Sequence, residues 1–240
     1  MSNWINRFVE NLIGSEICFI CGRHILNGNY YKDHFGNVSC GSHSIAMCFG
    51  CTSICDMDSS IYVSSYGYLC SKCSCKEIDS STAIRLVEYV CSFYLNLGMS
   101  LPGHKLHLTT IEEMKQRSSG NSEGVLGLAY SKENGVYRVC VLRNLSKIAF
   151  AGVFAHEILH LWQYGKNIFP PSPICEGFCN LGEYLVLGSI DKAEAQRRMA
   201  NELQNPDPVY GEGFRALKVI YDTKGWDKVI ETLYGFQRIK

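Results

Sequence analysis

The segment HEILH at residues 156–160 has the residue types and the spacing of a catalytic zinc site. On a helix, His156 and His160 lie one turn apart on the same face, so both imidazoles can bind one metal ion. Glu157 lies one position further round the helix and can act as general base towards a metal-activated water. The surrounding sequence AFAGVFAHEILHLW predicts such a helix, because it contains good helix formers and no Pro.

A catalytic zinc also needs a third protein ligand and one open position. Glu176 follows His160 by 16 positions, which lets a second helix fold back beside the first. Glu183 is seven residues further on and on the same helix face, so it is either a competing ligand or a partner that orients a ligand His. Asp191, His104 and His107 are further alternatives for the third ligand. His104 and His107 lie three apart on a predicted strand and point to opposite faces, so they cannot both bind the metal.

A second kind of metal site is indicated by the cysteines, nine of which fall between Cys18 and Cys75. Two sets with identical internal spacing occur 30 positions apart, and each has the four ligands that a tetrahedral structural zinc binds. Cys55 and Cys75 lie close by and could replace a ligand. The first set is Cys18, Cys21, Cys40 and His43, and the second is Cys48, Cys51, Cys70 and Cys73.

The elements that must position these residues follow from hydrophobic periodicity and turn signals, which predict an α+β fold. The sequence divides into an N-terminal helix at 1–17, a tandem zinc-finger module at 18–78 and a mainly helical domain with a small sheet at 79–240. In the last domain we expect helices at 80–98, 147–164, 173–188, 191–203, 209–223 and 226–237, and strands at 104–110, 125–130 and 136–142.

The composition excludes some classes of function. The chain has 240 residues, 46% of them hydrophobic, and its 23 Lys and Arg balance its 23 Asp and Glu. A net charge of zero argues against nucleic-acid binding through phosphates and against a polybasic membrane binder. The start of the sequence lacks an unbroken apolar signal segment, so we expect a cytoplasmic protein with reduced cysteines and no membrane span.

Several segments of the chain have the form of known peptidase motifs, namely VLGLAYS at 125–131, VYRVCVLRNL at 136–145, AHEILHLW at 155–162, CEGFCNL at 175–181 and YGEGFR at 210–215. The EGF string at 176–178 is similar to the NEGFA segment of aminopeptidase-type gluzincins, in which the Glu is the third zinc ligand. In these motifs and in their order, the chain resembles the DA-one family, which comprises LIM-domain-linked zinc peptidases of plants and bacteria.

The resemblance implies a gluzincin-like peptidase domain with a catalytic zinc on His156, His160 and Glu176 and with Glu157 as the general base. It also implies a LIM-like pair of fingers and endopeptidase action on proteins. The chain departs from a LIM domain because Cys40 precedes His43 and because four residues separate the two sets. The N-terminal residues lack an acidic run, so the ubiquitin link of the plant proteins is not expected here.

The resulting hypothesis is a zinc endopeptidase with one catalytic and two structural zinc ions. The partners expected from this hypothesis are a protein or peptide substrate and a protein that binds the fingers. Neither nucleic acid nor a membrane is expected as a partner. Tyr210, Arg215 and Tyr184 are candidate donors to the developing oxyanion. Cys175 and Cys179 are interpreted as small packing groups. The alternative is a non-catalytic zinc-finger adaptor that carries an inactive peptidase fold.

Overall fold

The computed structural model describes residues 16–25, 30–32, 36–118, 124–133 and 136–238. The chain divides into two compact units, residues 1–75 and 76–240. This division lies close to residue 78, where the cysteine-rich composition ends. Most of the helix predicted over residues 1–17 lies outside the described residues, and its last two residues form a short strand instead.

The first unit is built from short antiparallel strand pairs rather than from a large sheet. Its described core is small and centres on Cys48, Cys55, Leu69 and Cys73. A core of this size is too small to stabilise such a unit alone. The pairs are β1 (Glu16–Ile17) with β2 (His24–Ile25), β3 (Tyr30–Lys32) with β4 (Val38–Cys40), β5 (Ile45–Met47) with β6 (Ile54–Asp56), and β7 (Ile61–Val63) with β8 (Gly67–Leu69), followed by helix α1 (Ser71–Ser74).

The 30-residue repeat of the sequence recurs in the backbone of this unit. The N–H of Gly22 donates to the carbonyl of Cys18, and the N–H of Thr52 donates to the carbonyl of Cys48, both over 2.8 Å. Gly22 and Thr52 also share the left-handed conformation, with φ of 69° and 56°. A left-handed backbone conformation is unfavourable for a β-branched residue such as Thr. We therefore infer that the turn after each CxxC pair requires this conformation.

The second unit begins with helix α2 (Ser80–Asn96), which Asp79 caps by accepting a hydrogen bond from the backbone N–H of Thr82. Strand β9 (His104–Thr109) leads into helix α3 (Ile111–Arg117), which the sequence reading did not predict. Thr110 and Glu113 form a capping box that fixes the start of this helix.

Three strands form the sheet of the second unit, in the order β10 (Gly127–Glu133), β11 (Val136–Leu142), β9. Strands β10 and β11, which are neighbours along the chain, pair in antiparallel fashion. Strand β9 pairs with β11 in parallel. Strand β11 is therefore the central strand, with residues 139–142 buried, and β10 is an edge strand of this sheet within the described residues.

Helices dominate the rest of the unit, so the fold is α+β, as predicted. The predicted helices at 209–223 and 226–237 are both present in the segment Tyr210–Tyr234, and Gly225, whose φ of 78° and ψ of 177° are not helical, separates them with a kink. Among the described helices, none has the length and apolarity needed to cross a membrane. The helices are α4 (Lys147–Lys166), α5 (Ser172–Gly188), α6 (Ala193–Gln204) and α7 (Tyr210–Tyr234).

Helix α4 is apolar on nearly all sides, with most of its residues buried, which is typical of a helix at the centre of a domain. Helices α5 and α7 approach each other at two glycines. A Cβ on Gly177 would lie 2.2 Å from the carbonyl carbon of Gly213, and a Cβ on Gly213 would lie 1.8 Å from the carbonyl oxygen of Pro173. Only glycine permits this contact, which places the start of α5, including Glu176, against α7.

Candidate metal centre

Three side chains from α4 and α5 converge on one point. The Nε2 atoms of His156 and His160 lie 3.2 Å apart. Oε2 of Glu176 lies 3.2 Å from Nε2 of His156 and 3.5 Å from Nε2 of His160. The structure therefore brings together the two His and the Glu that the sequence singles out.

These distances fit a shared metal ion. Ligand atoms held at roughly 2.0–2.1 Å from one tetrahedral ion lie about 3.3 Å from each other. Burial alone would raise the pKa of Glu176, but hydrogen bonds with His156 and His160 outweigh it and hold the pKa at about 2. Glu176 is thus ionised at neutral pH, as a metal ligand must be.

Glu157 is buried next to these ligands, with 9% of its surface exposed. Burial raises the pKa of its carboxyl group above the usual value, although His156 and His160 oppose this shift. A raised pKa suits a carboxylate that accepts a proton and later returns it at neutral pH. Space for the side chain depends on Gly127 at the start of β10, because a Cβ there would lie 2.7 Å from Cγ of Glu157.

Glu183 lies on the other side of the His156 ring. Its Oε2 is 4.0 Å from Nδ1 of His156, so it faces the nitrogen that would not bind the metal. This is the position of a group that orients a ligand His. The other alternative ligands lie elsewhere, since His104 contacts the carbonyl of Pro102 and His107 contacts Arg138. Among the described residues, the groups that can hold a metal include none of Asp191, His104 or His107.

Two thiols that the sequence predicted to be packing groups, those of Cys175 and Cys179, contact Nδ1 of His160. Sγ of Cys179 is 3.5 Å and Sγ of Cys175 is 3.7 Å from Nδ1 of His160. Buried Gln163 contacts both thiols, at 3.3 Å from Cys179 and 3.1 Å from Cys175. The signal in the sequence was the four-residue spacing of the two Cys around Glu176, which places both on one helix face.

The three candidate oxyanion donors have different surroundings. Tyr210 lines the cleft at the metal ligands, and its pKa is raised by burial and by the charge of Glu176. Arg215 instead donates to the carbonyl of Asn205 over 2.5 Å, which ties down the chain just before α7. The ring of Tyr184 packs against Phe214. Of the three, Tyr210 alone lines this cleft within the described residues.

The cleft beside the metal ligands has a volume of about 360 Å³ and is open to solvent. Its walls come from the segment that leads into β10, from α4 and α5, and from the end of α6 with the start of α7. The residues that line it are Gly124, Val125, Leu126, Gly127, Val153, His156, Glu157, Asn180, Glu183, Glu202, Asn205 and Tyr210.

In the first unit, each predicted set of four ligands forms one cluster that can hold a metal ion. The two clusters match in detail, because Cys21 and Cys40 have their Sγ atoms 3.9 Å apart and so do Cys51 and Cys70. Sulfur ligands about 2.3 Å from one tetrahedral ion would lie close to this distance. Cys55 and Cys75 belong to neither cluster within the described residues.

Backbone N–H groups donate to a thiol sulfur in both clusters. The N–H of Cys40 donates to Sγ of Cys18 over 3.4 Å, and the N–H of Cys70 donates to Sγ of Cys48 over 3.3 Å. Although burial opposes it, such hydrogen bonds lower the pKa of Cys18 to about 6, so the charged form that binds a metal is favoured there at neutral pH. In the second cluster, hydrogen bonds with Cys51 and Cys70 raise the pKa of Cys48, while the hydrogen bond with Cys48 lowers the pKa of Cys51 to about 6.

His43 supplies the most specific sign of a metal in the first cluster. Its Nδ1 lies 2.8 Å from Oδ2 of Asp56, while its Nε2 is buried and has no hydrogen-bond partner among the described residues. A buried imidazole nitrogen without a partner is costly unless it binds something. His43 belongs to the group that includes Cys18, Cys21 and Cys40, and its Nδ1 contacts Asp56, so a metal ion bound through Nε2 would satisfy that nitrogen.

Asp56 lies in the segment of the second finger but orients the His ligand of the first, so the two clusters are linked. We expect Asp56→Asn to weaken metal binding at the first cluster by about 10- to 100-fold, because it removes the charge that fixes the His43 ring. Competition for Zn²⁺ with a chromophoric chelator would measure this. Asp58→Asn is the matched control, because Asp58 is exposed and outside both clusters. Equal zinc affinity in the two variants would contradict the role of Asp56.

Comparisons with known proteins identify no relative: no family model, no curated protein and no solved structure matches this chain.

Proposed function

We propose that this protein is a zinc-dependent endopeptidase that hydrolyses peptide bonds of protein substrates. The observation that supports this most strongly is the convergence of the Nε2 atoms of His156 and His160 with Oε2 of Glu176, beside the buried carboxyl of Glu157 and at the wall of an open cleft. Two His and one carboxylate are a common ligand set for catalytic zinc. When bound, zinc activates a water molecule and polarises the peptide carbonyl. The resemblance of its motifs to those of the DA-one family is a further reason for this proposal.

Glu157 accepts the proton of the attacking water and then delivers it to the leaving amine. Its burial supports this role, because a raised pKa brings the carboxyl closer to neutral pH than an exposed Glu. Its position one residue after His156 on α4 places it next to the ligands and in the wall of the cleft. Glu183 keeps the His156 ring in place through the opposite nitrogen.

Tyr210 is the residue that we assign to the developing oxyanion. Its side chain is part of the cleft wall, and the charges of Glu176, His160 and Glu157 act on its hydroxyl. A phenol in this position can donate a hydrogen bond to negative charge that appears during the attack. Arg215 supports it indirectly, because its bond to the carbonyl of Asn205 holds the turn before α7.

Strand β10 offers a site beside the proposed zinc ligands where the backbone of an extended substrate can form hydrogen bonds. Strand β10 is an edge strand of the sheet within the described residues, and its first residue, Gly127, contacts Glu157. An extended peptide can add to such an edge through backbone hydrogen bonds. The cleft is open, so a chain can pass through it, as endopeptidase action requires.

We assign zinc to the two clusters of the first unit as well, in a structural role, because each has four ligands and leaves no open position. The unit also exposes several large apolar side chains, which is typical of surfaces that bind proteins. A protein partner or substrate is therefore the proposed ligand of the fingers. The exposed side chains are Ile17, Phe19, Tyr30, Tyr31, Met47, Ile61 and Tyr62.

Zinc-dependent cleavage of an unfolded protein tests the proposal. We expect the zinc-loaded chain to cut a denatured protein at internal bonds, and we expect a chelator to stop the reaction until Zn²⁺ is restored. Mass spectrometry of the products would identify the internal cuts. Zinc bound at His156 and His160 without any cleavage would instead support the adaptor alternative.

A further inference from the structure

The cleft at the proposed active site carries an excess of negative charge. Three of its lining residues are acidic, namely Glu157, Glu183 and Glu202, and its described lining includes neither Lys nor Arg. Glu157 is used by the proposed reaction, and a bound metal ion would balance Glu176. Glu183 contacts the His156 ring from one side only, and the charge of Glu202 has no role in the proposed hydrolysis.

Glu202 is held in a defined position at the cleft. The side-chain amide of Asn180 donates to its Oε1 over 2.8 Å and to the backbone carbonyl of Tyr210 over 3.3 Å. Asn180 is itself buried, with 5% of its surface exposed. A buried amide that fixes a carboxylate in a cleft wall indicates a preorganised binding group rather than a mobile surface residue.

Within the described residues, Glu202 has no Lys or Arg partner. Its pKa is raised to about 7, chiefly by burial and then by the charge of Glu183, although the charge of His156 opposes this shift. The basic group that lies beside Glu183 is the ring of His156, at 4.0 Å. Within the described residues, neither carboxylate forms an ion pair with Lys or Arg. A ligand with a positive charge would supply the missing partner.

A second metal ion is a weaker explanation for the same pair. Ligand atoms that share an ion lie within a few ångströms of each other, and the residue groups that meet this condition in the described part of the chain include neither Glu183 nor Glu202. A pair of carboxylates without a third ligand beside it suits instead a cation with several N–H donors, such as an ammonium or guanidinium group.

We propose that the cleft selects substrates with a positively charged group near the scissile bond, and that Glu202 and Glu183 bind this group. The inference rests on the proposed function, because it names the substrate class of that site. Glu183 lies beside the ring of His156, which binds the metal at which the peptide bond is cleaved. The positive group of the substrate therefore belongs to a residue next to that bond. It is either the side chain of a Lys or Arg or a free α-ammonium group at the start of the substrate.

Matched peptides test this selectivity. One pair contains Lys or its neutral isostere norleucine next to the cleaved bond, and a second pair has a free or an acetylated N-terminus. We expect kcat/KM to be about 10- to 100-fold higher for the charged member of at least one pair, and the pair that responds identifies the source of the charge. Raised ionic strength should reduce the difference.

Glu202→Gln should lower this preference by about tenfold, because the Gln side chain keeps the contact with Asn180 but loses the charge. Glu231→Gln is the control, since Glu231 is exposed and pairs with Lys228 away from the cleft. The change of preference separates charge recognition from a packing role, because a loss of packing would affect charged and neutral peptides equally.

Binding provides a readout that does not depend on turnover. Calorimetry with the zinc-loaded chain and the same peptides should show tighter binding of the charged member. Equal affinity and equal kcat/KM within both pairs would overturn the inference and leave the proposed peptidase function intact. Charge-selective binding without any cleavage would support the inference while contradicting the peptidase function.

Discussion

Replacement of Glu157 by Gln is expected to abolish most peptide hydrolysis, with a loss of about 10²- to 10⁴-fold in kcat. The Gln side chain has the same shape but cannot accept and return a proton. Zinc should stay bound, because the carboxyl of Glu157 is not among the three ligand atoms that converge at His156, His160 and Glu176. The measurement is the rate of peptide cleavage alongside the zinc content of the same sample.

Glu88→Gln is the matched control, because Glu88 is exposed on α2 and outside the described lining of the cleft. This control should retain the wild-type rate. Cleavage by Glu157→Gln at the wild-type rate would show that another group moves the proton. Loss of zinc from Glu157→Gln would show that this carboxylate is a ligand or a structural group.

Replacement of Cys73 by Ser should unfold most of the second finger. Cys73 is one of four ligands in its cluster and one of the four residues of the small core. Structural zinc contributes an apparent 10–16 kcal/mol in zinc-finger peptides at neutral pH, and a core of this size cannot replace that contribution. We expect the zinc content to fall by about one ion per chain.

Hydrogen exchange in the full chain would locate this effect, with faster exchange expected at residues 45–70 and unchanged exchange in helix α4. Cys75→Ser is the matched control, because Cys75 is exposed and outside the cluster. If Cys73→Ser kept its zinc and its protection from exchange, the cluster would not be a structural metal site. A loss of zinc from Cys75→Ser would instead assign Cys75 as a ligand.

The parts of the candidate site that sequence alone could predict are those set by local spacing. His156 and His160 lie one turn apart on α4 because a helix makes residues four apart neighbours. The two finger clusters follow from a repeated spacing that the backbone reproduces at Gly22 and Thr52. Glu176 depends on the return of α5 beside α4, which a short connection makes accessible. The family resemblance and the enzymatic activity stay predictions.

Features that depend on contacts between distant segments could not be predicted in this way. Cys175 and Cys179 lie on the α5 face that meets His160, but spacing alone does not show which face meets α4. Asp56 contacts His43 across two fingers, and nothing in their separation along the chain indicates this pairing. Arg215 and Tyr210 lie in the same motif and were both predicted to stabilise the oxyanion. The guanidinium of Arg215 instead donates to the backbone carbonyl of Asn205.

Errors in the predicted elements have similar causes. Helix α3 was not predicted because its seven residues are too few to show a hydrophobic periodicity. The local signal for this helix is the capping box at its start. By contrast, the break predicted between 223 and 226 is confirmed, because Gly225 in α7 has a φ of 78° and a ψ of 177°, which are not helical. Glycine permits this conformation, so its position in the sequence indicated the break.

The central claim, a catalytic zinc on His156, His160 and Glu176, is tested most directly by the zinc content of the purified chain. Elemental analysis should find about three zinc ions in the wild type and about two in the variant that combines His156→Ala with His160→Ala, because the finger clusters keep theirs. About two zinc ions in both proteins would show that the His156 and His160 site binds no zinc, and this would contradict the account.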